Sequence, residues 1–404
     1  MSTVLVAWEL GGGLGHLMRL KPVVRGLVRR GHRVVAIVQD VVRARRVFDV
    51  PDICLLPAPV AKVPAHMKIK LIRSYGHILH NSGFGDKDTL AVLLASWRSL
   101  IDLVEPDLIL CDHSPTVLLA ARGCAAKRLC LGTGFCCPPA ETPFRDLRPE
   151  IPIEKGRLDR EESQLLQTVN STLVDMGLSR LDQLSDLYRD IDASVLTTYR
   201  ELDHYPDRHN AEYWGVWSKG DGLDADWPQG EGKRIFAYLK PFPSFPSLIN
   251  KLESIGCPTI VYAKGISPSL RQRLSSSKIR FMADQVDLAQ VGRSCDFAIL
   301  GGGHGATASL LLSGKPILQI PRYLEQSMTA QAIVRMHAGL AVSRKDSKGV
   351  DLALDRLLSD NSYNDGANCF AKKYASHRGE EALHRFFDLC ERLLSPNQEI
   401  TNRE

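Results

Sequence analysis

Ten cysteines are spread over this 404-residue chain (positions 54, 111, 124, 130, 136, 137, 257, 295, 369 and 390) without one C-x-x-C pair. No cysteine/histidine cluster has zinc spacing either, which excludes a metal-stapled finger or a small disulfide-framed module. The vicinal pair Cys136-Cys137 is poorly placed to bridge itself within ordinary disulfide geometry. Buried free thiols in a reducing cytosol are the expectation. No stretch approaches the roughly 18 uncharged apolar residues that a membrane span needs. Met1 to Glu9 offers no basic segment ahead of its short apolar run, which argues against a signal peptide or anchor. The expected location is cytoplasmic, and any membrane contact should be peripheral. A strong net charge is missing too: 51 Lys+Arg against 46 Asp+Glu gives +5, which alone predicts no nucleic-acid partner. Solenoid-period repeats and low-complexity tracts are absent.

What remains is a chain with 44% hydrophobic and 24% charged residues, long enough for two domains of about 100–200 residues each. Val4 to Trp8 is a short apolar run. Gly11-Gly12-Gly13-Leu14-Gly15 follows, and then Leu20, Val23, Val24, Leu27 and Val28 recur at helical spacing. That order reads as strand, glycine loop and helix. Gly31 stops the helix, and Arg33 to Val38 supplies the next strand of a β-α-β unit. Leu108 to Cys111 and Lys127 to Leu131 flank a helical segment from Thr116 to Gly123, and Val195 to Thr198 reads as the last strand of this half.

From Gly215 to Gly232 the composition turns to Gly, Asp, Trp and Pro without apolar periodicity, as interdomain linkers do. The alternation then restarts with strands at Ile235–Leu239, Thr259–Tyr262, Arg280–Met282, Phe297–Leu300 and Ile317–Ile320. An α/β protein of two doubly wound domains is expected. They are bounded at 1–215 and 216–378, followed by a C-terminal helix and tail at 379–404. An amphipathic helix is read from Lys372 to Leu394, with a polar tail after it.

Two glycine-rich turns carry candidate chemistry. The first places His16 at the start of a helix beside Gly13 and Gly15, a histidine suited to general-base work at the carboxyl end of a sheet. The loop is not G-x-G-x-x-G, and only Asp40 stands where an acid for a dinucleotide ribose would be expected. Leu110-Cys111-Asp112-His113 puts an acid at another strand end. By position alone Asp112 is as readily a turn or cap residue, and His113 is its rival as an active-site group. The second turn, Gly301-Gly302-Gly303-His304-Gly305-Ala306-Thr307, again sits between a strand and a helix. Backbone N–H groups and the helix dipole there can receive an anion. Glu325 and Gln326 start the following helix, where capping is their ordinary role, and Lys240 follows the strand at 235–239.

The run from Gly15 to Val34, with His16 and His32 sixteen residues apart, resembles the opening signature of GT-B glycosyltransferases, especially the family 1 nucleotide-sugar enzymes. Arg19 departs from it, standing where that family commonly has proline. Gly-His-Leu-Met-Arg is also similar to the opening of a GT-B nucleotide-sugar hydrolase, in which water is the nucleophile. Pro106-Asp107 to Asp112 fits the family's P-D-x-x-x-x-D pattern, and residues 301–326 are similar to its H-G-G-x-G-T, G-x-P and acid-Gln pattern.

The resemblance implies a GT-B fold of two Rossmann-like domains facing a cleft, the first binding the acceptor and the second the donor. It makes His16 the base that deprotonates an acceptor hydroxyl and Asp112 its partner. Gly302 to Thr307, Glu325, Gln326 and Lys240 become contacts to a nucleoside-diphosphate sugar, and the reaction inverts the anomeric carbon. It also packs the C-terminal helix back toward the first domain. No cofactor or metal is implied; Asp190-Ile191-Asp192 and Asp224-Ala225-Asp226 match a D-x-D motif only superficially. The family's leading phosphate histidine falls on Gly301, leaving His304 as a side-chain candidate; a nucleotide-sugar hydrolase or epimerase on the same scaffold and a non-catalytic binding protein are the rival readings. The acceptor class, small molecule, glycan or lipid, is open. Residues 1–85 hold 13 Lys+Arg against 4 Asp+Glu, and residues 53–85 hold no acid. An anionic acceptor or an anionic membrane surface is the expectation that follows.

Overall fold

Apolar runs bounded by glycine and polar residues become buried parallel strands in both halves of the chain. In the computed structural model, which describes residues 1–217 and 222–395, one sheet is built from Thr3–Trp8 (β1), Arg33–Val38 (β2), Cys54–Pro57 (β3), Leu108–Asp112 (β4), Lys127–Gly132 (β5) and Ala193–Leu196 (β6). Its order is β3-β2-β1-β4-β5-β6, with every pairing parallel. The other holds Ile235–Leu239 (β7), Thr259–Ala263 (β8), Ile279–Phe281 (β9), Phe297–Leu300 (β10), Ile317–Gln319 (β11) and Gly339–Ala341 (β12). Its order is β12-β11-β10-β7-β8-β9, again all parallel. Central strands such as β4, with all five residues buried, read as unbroken apolar runs because helices cover both faces of such sheets.

Each sheet reverses its strand order once, between β1 and β4 and between β7 and β10. At such a reversal the flanking helices leave in opposite directions and open a crevice outside the carboxyl ends of the strands. Both glycine loops of the sequence emerge at these reversals.

The chain divides into two compact units. One comprises Met1–Thr197, Asp207–Trp214 and the chain from Glu380 on; the other comprises Thr198–Pro206 and Gly215–Gly379. The segment read as one helix from Lys372 to Leu394 is two, Ser362–Lys373 and Gly379–Leu394. The break follows Tyr374, whose hydroxyl donates to Glu201 at 2.7 Å, and His377, whose ring nitrogen lies 3.2 Å from the Val216 carbonyl. Helix Gly379–Leu394 packs on helix Gly15–Arg29. Phe387 lies where a Cβ on Gly26 would intrude to 1.9 Å, the Arg30 guanidinium sits 3.8 Å from its ring centroid, and His32 reaches Glu391 at 3.0 Å. His32 is thereby a structural tie. Part of the 215–232 linker, and the polar tail from 396 on, lie outside the described residues. No described helix is long and apolar enough to cross a membrane. All ten cysteines are free; seven are buried as expected, whereas Cys54 and Cys369 are exposed.

Candidate active site

β1 and β4 are neighbours, with Trp8 directly opposite Asp112 in register. Two adjacent strand ends therefore deliver the glycine loop and the acid to one crevice. Gly11 has φ +80, and a Cβ there would stand 2.5 Å from His16 Nε2. Only glycine lets the loop lie against that ring edge. The Trp8 indole stacks on a face of the His16 ring, ring centroids 5.3 Å apart. His16 is thus fixed in the first turn of helix Gly15–Arg29, 6% exposed. Its Nδ1 lies 3.0 Å from Asp112 Oδ1.

Asp112 is fully buried, and the same Oδ1 accepts from Arg19 NH1 at 2.8 Å. Burial pushes its carboxyl up, but the Arg19 guanidinium and then His16 outweigh that, so the net displacement is below the ordinary value. An ionised Asp112 accepts Nδ1–H, which leaves the lone pair of His16 on Nε2. His113 has left-handed backbone (φ 49) and packs its ring on Tyr75 and Phe135. Burial, reinforced by the neighbouring His16, pushes it down to about 3, so it is neutral. Cys136 brings its sulfur within 4.8 Å of ligand atoms on His16 and Asp112, a set that could hold a metal ion. Arg19 already supplies the positive charge beside that carboxylate, which disfavours a cation there.

Arg19 and Glu9 are the residues that sequence reasoning missed. Glu9 is 2% exposed, and its carboxylate accepts from the N–H groups of Thr116 at 3.2 Å and Val117 at 2.8 Å, capping helix Pro115–Ala120. It welds the glycine loop to the helix that follows β4. The available signal for Arg19 was its place three residues after His16, one face of the same helix. Asp40 caps helix Val41–Phe48 through Arg43 N–H at 2.9 Å.

In the second unit Gly301 to Gly303 lead from β10 into helix His304–Leu312, with Gly303 as N-cap. The first intrahelical bond runs from Thr307 N–H to the Gly303 carbonyl at 3.0 Å, so the helix itself does not use the N–H groups before it. Gly302 has φ +83, and a Cβ there would press on Gln326 Cβ at 2.7 Å and its carbonyl at 2.8 Å. The loop and the start of helix Leu324–Arg335 are in contact for that reason. Gly305 and Ala306 form the helix start, with Gly305 exposed.

The His304 ring nitrogen Nε2 lies 2.6 Å from Thr198 Oγ1. Thr307 is buried and accepts at Oγ1 from Gln319 at 2.9 Å. The Gln326 side-chain oxygen accepts from Arg322 N–H at 2.9 Å, a capping contact, and Glu325 lies in the first turn of the same helix. Lys240 is exposed just past β7, the strand paired with β10. The glycine loop thus meets Gln326, and Lys240 follows the strand next to β10, while the side chains of His304 and Thr307 are engaged elsewhere in the unit. Both D-x-D matches are structurally occupied. Asp192 takes the Arg128 N–H at 2.8 Å and pairs with Lys127, Asp224 accepts from Gln290 at 3.0 Å, and Asp226 pairs with Arg280.

No family profile matches the chain. A PGL/p-HBAD biosynthesis glycosyltransferase of Mycobacterium tuberculosis is 21% identical over 340 residues, 78% of this chain and 76% of its own length. Among solved structures, the glycosyltransferase of kitacinnamycin superposes with a TM-score of 0.70 at 17% identity, covering 98% of this chain and 99% of its own. VinC, solved in complex with dTDP, gives 0.67 at 15% identity over 96% and 100%. SnogD from Streptomyces nogalater gives 0.62 at 16% identity over 96% and 99%. At these identities the likeness establishes the fold: the chain has the GT-B architecture of two Rossmann-like domains, in line with the resemblance in residues 15–34 and 301–326.

Proposed function

We propose that the chain is a nucleotide-sugar-dependent glycosyltransferase that inverts the anomeric carbon, with His16 as general base. The observation that carries this reading is the His16 Nδ1 to Asp112 Oδ1 contact of 3.0 Å at the strand-order reversal of the first sheet. His16 Nε2 takes the proton of an acceptor hydroxyl, and the oxygen attacks the anomeric carbon. The bond to the nucleoside diphosphate breaks, and its electron pair leaves with the diphosphate. The imidazolium that forms keeps its Nδ1 proton on Asp112, whose charge offsets it. The growing charge on the diphosphate is met by backbone N–H groups of Gly302 to Ala306, ahead of the Thr307 N–H that the helix itself uses, and by the dipole of the nine-residue helix His304–Leu312. With those donors a metal is not demanded. Glu325 and Gln326 are assigned to sugar hydroxyls and Lys240 to phosphate. Neighbours crystallised with thymidine diphosphate support a nucleoside-diphosphate donor without fixing its base.

Purified protein incubated with a panel of nucleotide sugars tests this directly. Sugar transfer that requires an added hydroxyl acceptor supports the reading. Rapid stoichiometric release of free sugar without acceptor would assign the site to hydrolysis, and donor binding without any turnover would leave only a binding protein.

A further inference from the structure

A second cavity in the first unit, of about 530 Å³, is enclosed by two segments far apart in sequence. Lys68, Ile69, Lys70 and Leu71 form one wall, Ile151, Pro152 and Ile153 form the other, and Arg73, His77 and Glu161 lie between. Both walls are held. Asn81 clamps Ile69 from both sides, accepting its N–H at 2.8 Å and donating to its carbonyl at 2.9 Å. Arg73 is 4% exposed; it pairs with Asp146 and donates to the carbonyls of Arg148 at 2.9 Å and Pro152 at 3.3 Å. That arginine is a strut joining the walls.

The charges of the cavity are unequal. Its acids are neutralised by arginines: Glu154 pairs with Arg160 at 2.7 Å and Glu161 with Arg157 at 2.8 Å, while His77 Nε2 lies 2.9 Å from Glu161. Lys68 and Lys70 are exposed and make no ion pair among the described residues, in a stretch from 53 to 85 that contains no acid. Leu71, 46% exposed, lies beside them. The result is a groove with aliphatic walls and two uncompensated ammonium groups at its rim, within the roughly 300–1,000 Å³ range of small-molecule sites. Ring contacts lead from beside it to the first crevice: Tyr75, two residues from Arg73, lies tilted on His113 at 6.3 Å between centroids, and His113 stacks on His16 at 6.0 Å.

We infer that this groove binds an anionic amphiphile, its apolar chain along Ile69, Leu71, Ile151 and Ile153 and its anionic group between Lys68 and Lys70. As the acceptor of the transfer reaction the amphiphile rests on the reading above; its binding does not. Apolar burial supplies most of the affinity, while exposed lysines contribute modestly and select the sign of the headgroup.

Calorimetry on the full chain tests this with lauroyl lysophosphatidic acid below its micelle concentration. The comparisons are its choline-headed counterpart, inorganic phosphate, and vesicles with and without 30 mol% phosphatidylglycerol. The monomeric anionic lipid should bind about ten-fold more tightly than the zwitterionic one, and Lys68→Gln/Lys70→Gln should abolish that preference. Leu71→Asp should weaken both lipids, with circular dichroism confirming that each variant is folded. Equal binding of the two headgroups, equal binding of inorganic phosphate, or binding to anionic vesicles alone would each overturn the inference. His16→Ala must retain lipid binding. If it does while the parent protein turns over no nucleotide sugar, the transfer reading fails and the groove stands.

Discussion

Arg19 and His16 address one oxygen: Asp112 Oδ1 lies 2.8 Å from the arginine NH1 and 3.0 Å from the histidine Nδ1. In a fully buried position this carboxylate is stable as an anion only because positive charge faces it. Removing the arginine leaves an uncompensated buried charge. Arg19→Ala should therefore destabilise the first unit by about 3–5 kcal/mol in urea unfolding, and Arg19→Ala/Asp112→Asn should recover part of that loss. If the single variant is as stable as the parent, the pair does not hold the site together.

Asp112→Asn separates orientation from charge. Asparagine is nearly isosteric but can present its amide N–H to Nδ1, which would move the histidine proton to Nε2. By analogy with the aspartate of the serine-protease triad, kcat should fall by about 10²–10⁴ with little change in the KM for donor. Steady-state kinetics decide it, and a change confined to KM would contradict the assigned role.

Glu9 makes the fold sensitive to pH. Burial pushes its carboxyl from 4.5 up to about 7, in spite of the hydrogen bonds from Thr116 and Val117. The folded state therefore prefers the protonated acid. This contribution is complete below about pH 4.5 and is lost as pH rises through 7, a change of about 3 kcal/mol. Urea midpoints between pH 5 and 8 should show that loss, and Glu9→Gln should flatten it. An unchanged slope in the variant would mean that another group titrates.

Gly302→Ala tests the diphosphate cradle. The new methyl would meet Gln326 Cβ at 2.7 Å from a residue with φ +83, so strain and contact act together. A loss of about 1–3 kcal/mol in stability is expected. The thermal shift produced by nucleoside diphosphates should also shrink, because the loop supplies the N–H donors. An undiminished shift would place the donor elsewhere.

Much of this is legible in the sequence itself. The strands β1, β2, β7, β8, β10 and β11 are apolar runs with a glycine close to one end, and the two glycine loops announce their helices locally. The short edge strands β3 and β12 escaped because four and three residues carry little periodic signal. Arg19 meets Asp112 across 93 positions, a distance that local spacing cannot express, and on its own it is another charged residue of an amphipathic helix. His304 illustrates the reverse. Its neighbours in sequence suggested a phosphate contact, whereas its ring is turned to Thr198, 106 residues away.

The central claim is that His16 removes the acceptor proton. Single-turnover transfer from a nucleotide sugar that the parent accepts, measured with His16→Ala at saturating acceptor, tests it most directly. The account predicts a rate lower by about 10²–10⁴ with donor affinity within two-fold of the parent. Transfer at the parent rate by a folded His16→Ala protein would contradict it.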